Sequence, residues 1–204
     1  MSQDLWRDHA DEIAREIRNH RYERSDSGLL LTRMGAFIGG AMKVRDYRRG
    51  HQQTVAIAAN TLLNEGLNHL LNVGFPPTGG YAQITQWYLA PYKGNYTPDP
   101  TLTAAQFPAV AEEFTAYTAT QRPALVIPRL ATARSTGNTG NEAVFVLAAG
   151  GPYNLYGCVV VSSSAKGSVS GVGMAAVPFD HPRLNMAGGD KLGIEYVLTA
   201  ADAG

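Results

Sequence analysis

The residues that could do chemistry in this chain are few and scattered. Its five histidines are His9, His20, His51, His69 and His181. No two stand at metal-ligand spacing, and no His-Glu-x-x-His pattern occurs. His69 falls on the polar flank of a leucine-rich stretch, where a surface or hydrogen-bonded histidine is expected. Asp180-His181-Pro182 reads as a turn before it reads as a site. Glu112 and Glu113 are adjacent carboxylates, but neighbours on an extended strand point to opposite faces, so they make a poor acid–base pair for glycoside hydrolysis.

The remaining candidates are equally plain. Gly35, Gly39 and Gly40 do not fit Gly-x-Gly-x-x-Gly, and no Gly-Lys-Ser/Thr follows a strand. Gly167-Ser-Val-Ser-Gly171 resembles a nucleophile elbow only loosely, because it lies between strands and not at a strand–turn–helix junction. The single cysteine, Cys158, sits in an apolar run with no electropositive surroundings and is expected to be a buried, inert thiol. Trp87, Tyr88, Tyr92 and Tyr96 could form a sugar-binding or nucleic-acid stacking platform. Lys93 is the one basic residue among them, so core packing or subunit contact is the stronger expectation. No catalytic, cofactor-binding or metal-ligating set emerges, and the chain reads as a non-enzyme without a cofactor.

The elements that would position these residues begin with Asn60–Pro98. Leu62, Leu63, Leu67, Leu70 and Leu71 recur at helical intervals and predict a helix over 60–73, with Asn60 as N-cap and Gly74 as stop. Gly66 inside it costs about 1 kcal/mol against alanine, so that helix needs packing to persist. A Pro-Pro-Thr-Gly-Gly break follows, then an aromatic strand from Ile84 to Tyr92 in which Pro91 marks an edge position or the strand's end. Residues 93–111 read as a long loop containing Pro98, Pro100 and Pro108. Further strands are expected near 113–118, 124–131, 142–149, 154–162, 172–178 and 190–199, and residues 54–59 read as a strand entering the helix. Val159–Val161 is apolar on both faces, as in a central strand. Ser162–Gly171 is a polar loop. The closing strand puts Leu192, Ile194, Tyr196 and Leu198 on one face. About eight short strands with few helices predict a mainly β fold, an antiparallel β-sandwich of jelly-roll-like or immunoglobulin-like type.

Residues 1–50 have a different character. Leu5, Trp6, Ala10, Ile13, Ala14 and Ile17 form one stripe of a helix over 3–24, about 30 Å long at 1.5 Å per residue. Ser25-Asp-Ser-Gly28 breaks it. The apolar, glycine-containing segment 29–42, with Phe37, suits a strand or docking segment. Lys43, Arg45, Arg48 and Arg49 form a basic cluster ending at Gly50. The domain division expected is thus an N-terminal helix and extended arm over 1–50, and a sandwich domain over 51–204 with its one short helix.

Composition limits the function classes. The chain has 204 residues, 17% charged and 45% hydrophobic, with zero formal net charge. Charged residues fall below the usual quarter, which suits much buried or interfacial surface. A balanced charge gives no support to nucleic-acid or membrane binding. The longest apolar run, Gly28–Met42, is about fifteen residues and carries Arg33, short of the roughly twenty that span a bilayer. The N-terminus lacks the pattern of a signal peptide. A soluble protein made in a reducing cytoplasm is expected.

Three phrases in the central stretch, Asn64-Glu-Gly-Leu-Asn-His-Leu-Leu71, Gln83-Ile-Thr-Gln-Trp-Tyr-Leu89 and Gly94-Asn-Tyr-Thr-Pro98, resemble a family of small structural proteins of tailed bacteriophages. Glu113-Phe-Thr-Ala-Tyr117 with Arg122-Pro123, Tyr156–Lys166 and Lys191–Thr199 fit the same pattern. The resemblance covers about residues 60–202. It implies a bacteriophage virion structural protein assembled in the host cytoplasm. The expected role is a capsid decoration or cement protein that binds the major capsid protein lattice and stabilises the head as a homo-oligomer, a trimer by expectation. Leu5, Trp6, Ile13, Ile17, Phe37, Arg45, Arg48 and Arg49 are its expected partner-facing residues. A place at the head–tail neck, tail or fibre base is the alternative, and a carbohydrate- or receptor-binding module using Trp87–Tyr96 is a further one.

Overall fold

The computed structural model describes residues 22–24, 30–32, 36–127 and 135–202, with side chains over 38–127 and 135–200. The strands are β1 (Tyr22–Arg24), β2 (Leu30–Thr32), β3 (Ala36–Arg48), β4 (His51–Ala59), β5 (Thr61–Leu62), β6 (Trp87–Tyr92), β7 (Ala124–Leu125), β8 (Ser135–Gly137), β9 (Ala143–Val146), β10 (Tyr153–Val161), β11 (Gly173–Met186) and β12 (Lys191–Asp202). Two helices accompany them, α1 (Asn64–Gly74) and α2 (Phe107–Val110). Of the helix expected over 3–24, residues 3–21 lie outside the described residues, and Tyr22–Arg24 form the strand β1 and not a helical turn, because they pair with Leu30–Thr32. β1, β2, the first residues of β3 and the last of β12 belong to one compact unit, and Gly39–Thr199 forms the other. In the first, β1 and β2 pair antiparallel.

The larger unit is the expected mainly β, antiparallel sandwich. One sheet runs β5-β11-β10-β6-β7; the other runs β4-β3-β12-β8, with β9 also on β12. Alternation along each strand sends one row of side chains inward. Met42 and Val44 of β3, Phe145 of β9, and Leu192, Ile194 and Tyr196 of β12 meet Leu89 of β6, Leu155, Cys158 and Val160 of β10, and Ala175 and Val177 of β11 in one core. β10 is central in its sheet, as its unbroken apolar run requires, and the Cys158 thiol is buried among these side chains as a small apolar group.

The first sheet is covered on its other face as well. Val159 and Val161 of β10, Ala90 and Tyr92 of β6, and Ala176 of β11 pack under Leu102, Phe107 and Ala111. The segment read as a loop over 93–111 is therefore a plug with α2 inside it, held by its own buried apolar residues. Pro91 closes the regular part of β6. Its carbonyl accepts from Phe114 N–H at 2.8 Å, so its missing donor faces an irregular segment and not a strand.

Several expectations need correction. The helix begins at Asn64 with Leu63 as its N-cap, because residues 61–62 are taken by β5 pairing with Ala175 and Ala176. Asn60 instead donates its side-chain amide to Tyr196 Oη at 2.8 Å. The leucine stripe is buried only in part: Leu63 is fully buried and Leu62 and Leu70 pack against the core, but Leu71 is 60% exposed, and Gly66 and His69 take part of the buried face. The helix lies so close to β11 that a Cβ on Gly66 would stand 2.5 Å from Met174 O, and this approach sets the rotation. Residues 113–118 make only isolated bridges, Tyr92 with Glu113 and Tyr117 with Leu147. The strand expected over 124–131 is the two-residue β7, with residues from 128 outside the description. Residues 54–59 extend back to His51 as β4, the second arm of a β3–β4 hairpin whose turn, Arg49–Gly50, has positive φ at both positions. The basic cluster is thus the end of a hairpin, and the boundary expected at residue 50 falls in its turn, inside the unit Gly39–Thr199.

Candidate functional site

Two regions of the larger unit gather polar groups. The first is a cleft of ≈ 450 Å³ lined by Lys93, Glu113, Phe114, Thr115, Tyr153 and Asn154. Glu113 forms its floor. Its carboxylate accepts from Arg122 Nε at 2.8 Å and Nη2 at 2.7 Å, and from Gly167 N–H at 2.9 Å. Arg122 also donates Nη1 to Ser163 O at 3.0 Å. Beside it Lys166 donates Nζ to Tyr117 O at 2.7 Å and stands 3.7 Å from the centre of the Tyr117 ring. These bonds fix the polar Ser162–Gly171 loop against residues 113–122. The Glu113 carboxylate is fully engaged by donors and has no role left as a general base. Its sequence neighbour Glu112 has φ 54° and stands 3.6 Å from Lys93. The two carboxylates have separate partners, but the left-handed backbone at Glu112 sets this and not the strand alternation expected from their adjacency.

The second region is the outer face of the second sheet. Arg45 on β3 donates to Glu142 at 2.7 Å and stands 3.2 Å from Glu195 on β12. Tyr47 Oη donates to the other oxygen of Glu142 at 2.9 Å, and Gly140 N–H donates to Glu195 at 3.0 Å. Burial raises the Glu195 carboxyl, while the Arg45 guanidinium and the Gly140 N–H lower it by more, so it titrates below the ordinary carboxylate range. A hollow of ≈ 270 Å³ lies beside this network, lined by Tyr47, Gly50, Glu142, Val144 and Lys191. On the same face Val55, in register with Arg45, is 43% exposed, and Ile57, in register with Lys43, is 62% exposed.

The opposite side of β3 carries a buried charge cluster. Asp46 accepts from Arg48 Nε and from Thr54 N–H, each at 3.2 Å, and faces Arg183 Nε at 3.4 Å. Arg183 donates Nη1 to His181 O at 2.7 Å.

The expected partner-facing residues are dispersed by this geometry. Arg45 is engaged with Glu142 and Glu195, Arg48 with Asp46 and with Leu184 O at 2.8 Å, and Arg49 occupies the hairpin turn with its backbone N–H on Asp190. They share a hairpin but not a face. Leu5, Trp6, Ile13 and Ile17 lie outside the described residues; the backbone of Phe37 lies in β3. The aromatic stretch makes no common platform: Trp87 packs against the inter-sheet core, whereas Tyr88, Tyr92 and Tyr96 belong to the opposite cluster and Tyr92 is fully buried. His69 is buried beside Tyr81, whose hydroxyl is 3.1 Å from Nδ1, with the Trp87 ring at 76° to the imidazole and 5.5 Å between centroids. The hydrogen-bonded alternative of its expected reading holds, but its place is buried and not on a polar flank. Cys158 is fully buried, and burial pushes its thiol far above the ordinary value.

Val55 and Ile57 were legible only as part of a short alanine-rich strand. Their signal is the uncharged run from His51 to Ala59, in which Gln53, Val55, Ile57 and Ala59 alternate. Among the described residues, no group of three or more His, Cys, Asp or Glu is arranged to hold a metal ion, and no helix is long and apolar enough to cross a membrane. Comparison with protein-family models, with curated proteins and with solved structures finds no match.

Proposed function

We propose that this protein is a non-enzymatic structural subunit of a tailed-bacteriophage virion, a decoration protein that sits as a homo-oligomer on the lattice of the major capsid protein. One observation carries the reading: polar groups of the outer sheet face are tied to one another, while the apolar side chains Val55 and Ile57 beside them stand open to solvent. A face of that kind offers a contact surface and no reacting group. The resemblance of residues 60–202 to small virion proteins supplies the setting. On a lattice each contact is repeated many times, so individually weak contacts suffice. The apolar stripe of Trp6, Ile13 and Ile17 would supply a second attachment.

The test is copy number in purified particles, measured by mass spectrometry against the major capsid protein. Lattice occupancy, on the order of the capsid protein's own copy number, supports a decoration role. A single ring of about six to twelve copies would move the protein to the neck, tail or fibre base. Absence from particles would overturn the virion reading altogether. In particles that carry it, the double variant Trp6→Ala, Ile13→Ala is expected to lower occupancy.

A further inference from the structure

The cleft floored by Glu113 lies where β10 runs past the end of β6. β6 ends at Tyr92, in register with Gly157, and Tyr153–Tyr156 continue beyond that pair. Lys93, the residue after β6, lines the cleft with Tyr153, Asn154, Tyr156 and Thr115. Its volume of ≈ 450 Å³ falls within the range of about 300–1,000 Å³ that holds small ligands. The lining shares no residue with the outer face of the second sheet, and none of its aromatic rings belongs to the divided set Trp87, Tyr88, Tyr92 and Tyr96.

The hydrogen-bonding capacity of the lining is one-sided. The Glu113 carboxylate is saturated by Arg122 and Gly167 and offers no acceptor. Thr115 O accepts from Lys166 Nζ at 3.1 Å and from Tyr117 N–H at 2.9 Å, and Ala116 O accepts from Ala148 N–H at 3.0 Å. Donors remain. Lys93 Nζ stands 3.6 Å from Glu112, beyond hydrogen-bond length, with both side chains exposed. Asn154 Oδ1 accepts from Asn185 N–H at 2.9 Å, which leaves the two N–H groups of Nδ2 to a ligand. The ring surface beside these donors is fixed in advance. Tyr153 meets the Phe114 ring at 5.1 Å and 68°, and its hydroxyl donates to Ala149 O at 3.2 Å. A Cβ on Gly150 would stand 2.9 Å from that hydroxyl, so glycine there makes room for it. A ring already held loses little freedom when a ligand settles on it.

We propose that this cleft binds an acidic saccharide, a chain containing uronic acid, with a carboxylate on Lys93 and Asn154 and a pyranose ring on Tyr153 and Tyr156. The carboxylate answers the surplus of donors. The polarised C–H groups of a sugar ring suit the negative face of a tyrosine ring. A neutral sugar would bring hydroxyl donors to a lining whose acceptors are taken. A phosphorylated ligand would call for an arginine fork or a nest of backbone N–H groups, whereas Lys93 is the one cation in the lining. The cleft holds the saccharide without cleaving it, because Glu113 is engaged and no second carboxylate lines the site. This inference goes beyond the decoration reading and does not rest on it.

Tetragalacturonate is titrated into the full chain and followed by saturation-transfer nuclear magnetic resonance, with maltotetraose as the neutral counterpart and circular dichroism as the check on folding. Tetragalacturonate is expected to bind with Kd on the order of 1 mM, more weakly as salt is raised. Maltotetraose is expected to bind at least about fivefold more weakly, the measure of one charged contact. Lys93→Gln should weaken the acidic probe about fivefold or more and remove its salt dependence. Glu112→Gln removes a competing carboxylate and should tighten binding about twofold, a gain that a merely structural role would not give. Lys191→Gln makes the same change of net charge outside the cleft and should leave binding as it is. No binding of tetragalacturonate on the order of 10 mM, equal binding of maltotetraose, or equal losses in Lys93→Gln and Lys191→Gln overturns the proposal. Displacement of tetragalacturonate by inorganic phosphate at equal concentration would assign the cleft to phosphate and overturn the saccharide. Copy number in particles bears on the decoration role alone, so either reading can fail without the other.

Discussion

Glu113 and Arg122 form a two-pronged ion pair at 2.8 and 2.7 Å, with both side chains almost wholly withdrawn from solvent. The pair joins the segment after α2 to the start of β7, and through Gly167 and Ser163 it holds the loop between β10 and β11. Removing one partner leaves the other charge buried and uncompensated. Arg122→Met is therefore expected to cost about 3–5 kcal/mol of unfolding free energy, read from denaturant titration. The double variant Glu113→Gln, Arg122→Met should recover part of that loss, because the stranded carboxylate is gone. A single variant as stable as the double would show that the pair is not coupled.

Gly66 gives an opposite sign to helix propensity. Alanine in place of a mid-helix glycine ordinarily gains about 1 kcal/mol. Here the added Cβ would meet Met174 O at 2.5 Å and Met174 Cα at 2.7 Å, both backbone atoms of β11 that cannot swing aside. Gly66→Ala is expected to destabilise by about 1–3 kcal/mol through overpacking. Thermal unfolding decides it, and a raised midpoint would mean that α1 stands farther from the sheet.

What was legible in the sequence follows from the range of the cause. The closing strand alternates Leu192, Ile194 and Tyr196 against polar neighbours, and all three are buried in the core. Val159–Val161 declares a strand covered on both sides, and the plug of residues 93–111 supplies the second cover. Periodicity reports such one-strand properties directly. The leucine pattern found Leu63 and Leu70 but not the exposure of Leu71, because the close approach at Gly66 also sets the rotation of α1. The hairpin role of the basic cluster was hidden too, since Arg45 meets Glu142 and Glu195 only after β9 and β12 return to β3. The Glu113–Arg122 pair spans nine residues through a turn, with no spacing signature to mark it.

Acid should loosen the outer sheet through Glu195. Its folded carboxyl titrates below the ordinary 4.5, with burial raising it and Arg45 and Gly140 lowering it further. A depressed folded value means that the unfolded chain takes up the proton first. The stability contributed is present above about pH 4.5 and is lost as pH falls through the lower folded value. Glu195→Gln is expected to be less stable near neutrality and to show a shallower loss between pH 5 and 3, on the order of the carboxylate range. Unfolding midpoints across that range check it; parallel profiles for the two proteins would contradict the assignment.

His69 supplies a second acid response at higher pH and a different place. The ring is buried between α1, Tyr81 and Trp87, and burial lowers its value from the ordinary 6.5, so the neutral form belongs to the fold. The unfolded chain again binds the proton first, and the contribution is lost as pH drops below about 6.5 toward the folded value. The Tyr81 hydroxyl can accept from a ring N–H, but it offers no charge to balance the imidazolium. The segment carrying Tyr81 should therefore release from α1 in mild acid while the sandwich stays intact. In a Trp6→Phe background the remaining indole, Trp87, reports this directly: its fluorescence is expected to titrate below pH 6.5 and ahead of the acid transition. His69→Gln keeps a hydrogen-bonding side chain near Tyr81 and should abolish the titration. A Trp87 signal flat down to global unfolding would show that His69 stays neutral and that Tyr81 remains seated.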